Sequence, residues 1–135
     1  MAFARELKAR GVDAVDASGG GIGGGWDHPI GYGYQVPYAA RVRAEADIAT
    51  MAVGLIVDAR QAEAIVAGGS ADLVAVAREA QDDPNFALHA ARELTEGSYA
   101  EYPVQAGPRL DARNRMLDRL GPWTGPDPVQ VSLPA

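Results

Sequence analysis

Two short stretches of this chain carry residues suited to an anionic ligand: Gly54, which follows one apolar run, and Ala77-Arg78, which closes another. A glycine after a strand permits backbone amides to face a phosphate, and an arginine close by adds a charge-assisted hydrogen bond. In many barrel folds the last two strands and a nearby helix start form such an anion site. From the residues alone there is an alternative: Gly54 is a turn residue, and Arg78 pairs at the surface with Glu79, Asp82 or Asp83. A third stretch, Ser18-Gly-Gly-Gly-Ile-Gly-Gly-Gly25, would let backbone approach a ligand, and it equally suits an ordinary flexible loop. Trp26, Tyr32, Tyr34 and Tyr38 offer flat faces to a flat ligand, although Tyr38 follows a helical apolar stripe and reads as core. His28 in the glycine-rich loop and His89 in a helix have the spacing of neither a paired clamp nor a metal site, so both read as surface or packing residues.

These loops need elements to hold them. Apolar strand runs alternate with helical periodicity at short intervals, the pattern of parallel α/β units. Phe3 to Arg10 reads as a helix with Phe3, Leu7 and Ala4 on one face and Gly11 as its stop. Strands are expected over Val12–Ala17, Thr50–Gly54 and Leu73–Ala77. Between them, Pro37 suits a first helical position, with Tyr38, Val42 and Ala46 facing inward and Arg41, Arg43 and Glu45 outward. Asp58 with Gln61 resembles a capping box for a helix whose buried stripe is Ala62, Ile65 and Val66 and whose stop is Gly68-Gly69. Asp82-Asp83-Pro84 reads as the start of a last helix with Ala87, Ala91 and Leu94 on one face. The expected organisation is residues 1–96 as the α/β part and 97–135 as a proline-rich tail, in which Leu110–Leu120 offers one more helix.

Composition narrows the function. The chain has 135 residues, is 47% hydrophobic and 22% charged, and carries a net charge of -6. That acidic balance argues against nucleic acid, whose binders usually carry a clustered basic footprint. No apolar run approaches the roughly 20 residues of a membrane span, and Met1–Lys8 is amphipathic without a signal peptide's apolar middle. A cytoplasmic location is expected. The absence of cysteine excludes disulfides, thiolate metal sites and a cysteine nucleophile.

Gly31-Tyr-Gly-Tyr-Gln-Val-Pro-Tyr-Ala39, Val53-Gly-Leu-Ile56, Ala77-Arg78 and Asp83-Pro-Asn-Phe86 together resemble the C-terminal part of the Old Yellow Enzyme family of FMN-dependent ene-reductases, from about Phe3 to Gln105. The resemblance implies about three βα units of a (β/α)8 TIM barrel, incomplete here because that fold typically needs about 250 residues. It implies FMN as cofactor, with Gly54, Ala77 and Arg78 at the phosphate and Ser18 and Gly19 beside the flavin. In the family the first of these strands ends in a Val-Ser-Ser-Gly type sequence, whereas this chain has Ala17-Ser-Gly-Gly20; Tyr32 stands where relatives commonly have proline. Pro103-Val-Gln105 matches the family's Pro-Val-Gln-Tyr, with Ala106 in place of the tyrosine, and makes Arg109 a candidate substrate contact.

NAD(P)H as reductant and a small activated alkene as substrate are implied for the complete enzyme. The family's histidine pair, its tyrosine proton donor and its flavin-contacting arginine come from earlier strands, so no catalytic residue is assigned to this chain. The expected partner is an N-terminal barrel half or a second copy. The expected function is a fragment of an FMN-dependent NAD(P)H oxidoreductase that supplies the flavin phosphate site. Its alternatives are a non-catalytic phosphate-binding or assembly module, and a decayed product without activity.

Overall fold

The computed structural model describes residues 1–19 and 30–125, so Trp26, His28 and all but the first two residues of the glycine-rich run lie outside the described residues. Residues 1–96 form one compact unit, and the chain from Gly97 forms another.

The first unit is α/β. Its elements are α1 (Ala2–Ala9), β1 (Ala14–Ala17), α2 (Val36–Ala46), β2 (Ala49–Ala52), α3 (Ala59–Ala67), β3 (Leu73–Val74), α4 (Arg78–Asp82) and α5 (Phe86–Leu94). The three strands form one parallel sheet in the order β1-β2-β3, with Val15 opposite Thr50, Ala17 opposite Ala52 and Val74 opposite Ala52 on its other side. Alternation along each strand sends Val15, Ala17, Thr50, Ala52 and Val74 to one face. There α2 packs on β1 and β2, and α3 packs on β3. The other face carries Ala14, Asp16, Ala49, Met51 and Leu73, which are exposed or half-exposed.

Local chemistry explains the helix ends. Pro37 sits in the first turn of α2, where a missing amide donor costs nothing. Asp58 caps α3 by accepting from the amides of Arg60 and Gln61 at 2.8 and 3.1 Å. The reciprocal arm of the expected capping box lands one residue earlier, because Gln61 Oε1 accepts from Val57 N at 3.1 Å. Gly68 is the C-cap of α3, and Gly69 follows it at φ 71°.

Several expectations give way. The third strand is two residues long instead of five, because Gly54 turns β2 away and leaves residues beyond Ala75 no ladder partner; Ala77-Arg78 therefore opens α4. The second strand covers Ala49–Ala52 for the same reason, and the first begins at Ala14. Phe3 is 74% exposed, since the small Ala4 fills the contact that α1 makes with α2. Tyr38 is 41% exposed, because Ala39 occupies the inner position of α2 with no accessible surface. Val66 and Leu94 are likewise exposed, and the half-buried residues of α5 are Phe86, Leu88, Ala90, Ala91 and Arg92.

Among the described residues of this unit, the buried apolar side chains are alanines plus Ile48, Ile56 and Ile65. Alanine lets helices approach the sheet closely, but a buried isoleucine contributes about 1.5–3 kcal/mol and an alanine far less. The core is thin for the unit's length.

In the second unit, α6 (Gly107–Leu120) includes the expected Leu110–Leu120 helix and starts earlier, with Pro108 in its first turn. Tyr99 is its buried anchor; its hydroxyl donates to Asn114 Oδ1 at 3.2 Å and its ring meets Tyr102 edge-on at 4.9 Å.

Candidate functional site

The loops after β2 and β3 converge at the carboxyl ends of the strands. Gly54 sits at φ 114°, and a Cβ there would lie 3.0 Å from Gln35 Cγ and 3.1 Å from Tyr34 Cε1. Both facts demand glycine. Leu55, next in line, also has a positive φ of 50°, a conformation that costs a branched side chain energy unless neighbours enforce it. Two donors do so here: Gly33 N and Gln61 Nε2 reach the Leu55 carbonyl at 3.3 and 3.2 Å.

The turn forms one wall of a cavity of about 210 Å³. Tyr34 and Gln35 line a second side, and Ala77, Arg78 and Glu79 a third. Ala77 and Arg78 are exposed and Gly54 is buried, so the cation stands at the rim above a backbone floor. Among the described residues Arg78 has no ion-pair partner; the pairing with Glu79, Asp82 or Asp83 does not form. Asp83 instead accepts from the Asn85 amide at 3.0 Å and meets His89 Nδ1 at 2.6 Å, which gives His89 a place in a surface pair.

Thus Gly54, Ala77 and Arg78 share one cavity. Gly19 stands beside it, one hydrogen bond away: its amide donates to Gln35 Oε1 at 2.7 Å, and a Cβ on it would come within 3.0 Å of Tyr38 Cε2. Ser18 is exposed and does not line the cavity. Arg109 belongs to the second unit, exposed in the first turn of α6. Tyr34 contributes to the cavity wall, whereas Tyr32 is 79% exposed.

The cavity residue that sequence reasoning passed over is Gln35. It is the N-cap of α2, yet its side chain makes no cap hydrogen bond. The signal available was its place two residues before Pro37, where Ser, Asp or Asn is the usual choice.

The carboxylates drawn below their ordinary range lie at the opposite end of the sheet. Asp72 is lowered first by the Thr50 amide and then by Arg43, Asp47 by Lys8, and Glu45 by Arg41. Arg41–Glu45 lies within α2, Lys8 ties α1 to the C-cap of α2, and Asp72 ties α2 to the starts of β2 and β3, so these are structural pairs. Among the described residues no group of three His, Asp or Glu side chains is arranged to hold a metal ion, and no helix is long and apolar enough to cross a membrane.

No protein-family model matches the chain. Among curated proteins it is similar to the NADPH dehydrogenase of Bacillus subtilis, 44% identical over 94 residues that make up 70% of this chain and 28% of that protein. It is 44% identical over 105 residues to the NADPH dehydrogenase of Bacillus licheniformis, covering 78% of this chain and 30% of that one. To the NADPH dehydrogenase of Listeria monocytogenes it is 46% identical over 103 residues, 76% of this chain and 30% of the relative. The matched region is under a third of the length of these curated relatives.

Proposed function

Because the chain belongs to the Old Yellow Enzyme family, of whose members it matches less than a third, we propose that it is a part of an FMN-dependent oxidoreductase of the ene-reductase type and supplies the flavin phosphate site. The observation that carries this reading is the convergence on one cavity, at the carboxyl ends of β2 and β3, of Gly54, Ala77 and Arg78, the last without an ion-pair partner among the described residues. The residues fit the group: a glycine floor that no Cβ could replace, and a guanidinium free to meet a phosphate. Ligand pockets for whole small molecules usually exceed about 300 Å³. The cavity therefore suits the phosphate end, and the rest of the cofactor extends past it toward Gly19 and Ser18.

Bound FMN would supply hydride transfer from NADPH, the reductant for which the relatives are named, to a small activated alkene. Under this reading the residues of this chain bind and orient and do no proton chemistry. Gly54 brings backbone close to the phosphate, Arg78 offsets its charge, and Gln35 with Tyr34 closes the wall. Arg109 remains a candidate substrate contact from the second unit.

Three parallel strands alternating with helices, covered on one face only, support assignment to a (β/α)8 barrel of which about three units are here. The open face, with Asp16, Met51 and Leu73, and the unpaired edges of β1 and β3 are the surfaces against which an N-terminal barrel half or a second copy would pack, in the cytoplasm.

Titration with FMN and riboflavin tests the site. FMN should bind far more tightly, and Arg78→Ala should remove about 1.5–3 kcal/mol of that preference while leaving riboflavin almost unaffected. Equal losses for both flavins would overturn the phosphate assignment and give Arg78 a role in folding instead.

A further inference from the structure

We propose that Gln35 is a positioning residue that sets Gly19, just after β1, in register with the anion cavity. The inference rests on the phosphate-site reading above and extends it to the other end of the ligand.

Gln35 is only 6% exposed. Burying a primary amide is costly unless both its ends are bonded. Both are, and to different segments: Oε1 accepts from Gly19 N and Nε2 donates to Tyr34 Oη, each at 2.7 Å. Its Cβ and Cγ meanwhile pack where a Gly54 side chain would stand. One side chain therefore touches the loop after β1, the residue that leads into α2, and the turn after β2. Such a polar group at a helix N-cap ordinarily serves the helix; here it serves the cavity wall, and α2 goes without a side-chain cap.

The consequence is geometric. Gly19 lies toward the flavin-ring end of the proposed ligand and Gly54 toward the phosphate end, and Gln35 fixes the spacing between them. The ring end is common to FMN and riboflavin, while the phosphate belongs to FMN alone. Loss of Gln35 should therefore weaken both flavins together, a pattern opposite to that of Arg78→Ala.

The test uses the full chain with Gln35→Met, which keeps the length and removes both bonds, and Gln35→Glu, which keeps the acceptor for Gly19 but adds a negative charge to the wall. Amide exchange at Gly19, followed by NMR without ligand, should be slow in the wild type and in Gln35→Glu and fast in Gln35→Met. Fluorescence titration should give affinities for FMN and riboflavin both reduced about tenfold in Gln35→Met. In Gln35→Glu the loss should fall mainly on FMN. Unchanged Gly19 exchange in Gln35→Met overturns the inference. So does fast exchange with flavin affinities within twofold of wild type, since Gln35 then only packs. If Gln35→Met weakens both flavins but Arg78→Ala does not separate them, the phosphate assignment falls and the positioning role stands. A wild-type chain that takes up neither flavin overturns both.

Discussion

Asp72 brackets Thr50 with two hydrogen bonds: its amide donates to the Thr50 carbonyl at 2.9 Å, and its carboxylate Oδ2 accepts the Thr50 amide at 2.9 Å. The side chain thereby completes a ladder step that β3 is too short to make with backbone alone. Arg43 at the last turn of α2 secures the same carboxylate through Nε, 3.1 Å from each oxygen, and holds the Gly69 carbonyl through Nη1 at 3.1 Å. Three segments meet at this carboxylate, and Arg43 ties in a fourth through Gly69.

Asp72 is held below its ordinary value, by the Thr50 amide first and by Arg43 second. A group whose folded pKa is depressed contributes stability that is present above its unfolded pKa, about 3.9, and is lost as pH falls through the folded value. Urea midpoints for the wild type should therefore fall on acidification below about pH 4 more steeply than for Asp72→Asn, whose amide does not titrate. Parallel curves for the two proteins would show that the carboxylate's charge contributes nothing.

Thr50 itself is fully buried, and its Oγ1 has no hydrogen-bond partner among the described residues. An unsatisfied buried hydroxyl costs about 1–3 kcal/mol, whereas valine fills the same shape without that cost. Thr50→Val should raise the urea midpoint, by roughly 1 kcal/mol at unchanged slope. A lowered midpoint would mean that the hydroxyl is bonded.

The two glycines Gly54 and Gly31 should differ sharply in their tolerance of alanine. At Gly54 the positive φ and the crowding by Gln35 and Tyr34 should make Gly54→Ala cost more than about 1 kcal/mol and abolish flavin uptake. At Gly31 a Cβ meets nothing within 4 Å and φ is not in the left-handed region, so Gly31→Ala should change stability by no more than about 0.5 kcal/mol. Thermal melts of the pair check this directly, and equal losses would contradict the proposed geometry at Gly54.

The open sheet face carries Leu73, 54% exposed, beside the half-buried Met51, and among the described residues no strand pairs with the outer edges of β1 and β3. With so thin a core, covering that face should contribute to stability. Light scattering at micromolar concentration should find an oligomer, or a complex when an N-terminal barrel half is supplied, and Leu73→Lys should weaken either. A stable monomer with unaltered melting on Leu73→Lys would refute the claim.

What the sequence determined by itself are the features governed by chemistry within a few residues. Pro37 starts a helix because its ring presets φ, Asp58 caps one because its carboxylate reaches the next two free amides, and Gly69 ends one because it takes a left-handed turn. The alternation of helices and strands through β3 and the separation of Gly54 from Ala77-Arg78 were legible for the same reason, whereas the short helix α4 was not. Tertiary structure decided the rest. Whether Tyr38 or Ala39 faces the sheet depends on how close α2 approaches it, and the length of β3 depends on where its neighbour turns away. That Gln35 joins Gly19 and the Gly54 turn could be decided only by folding, because both lie far from it along the chain and meet it only once the strands have aligned.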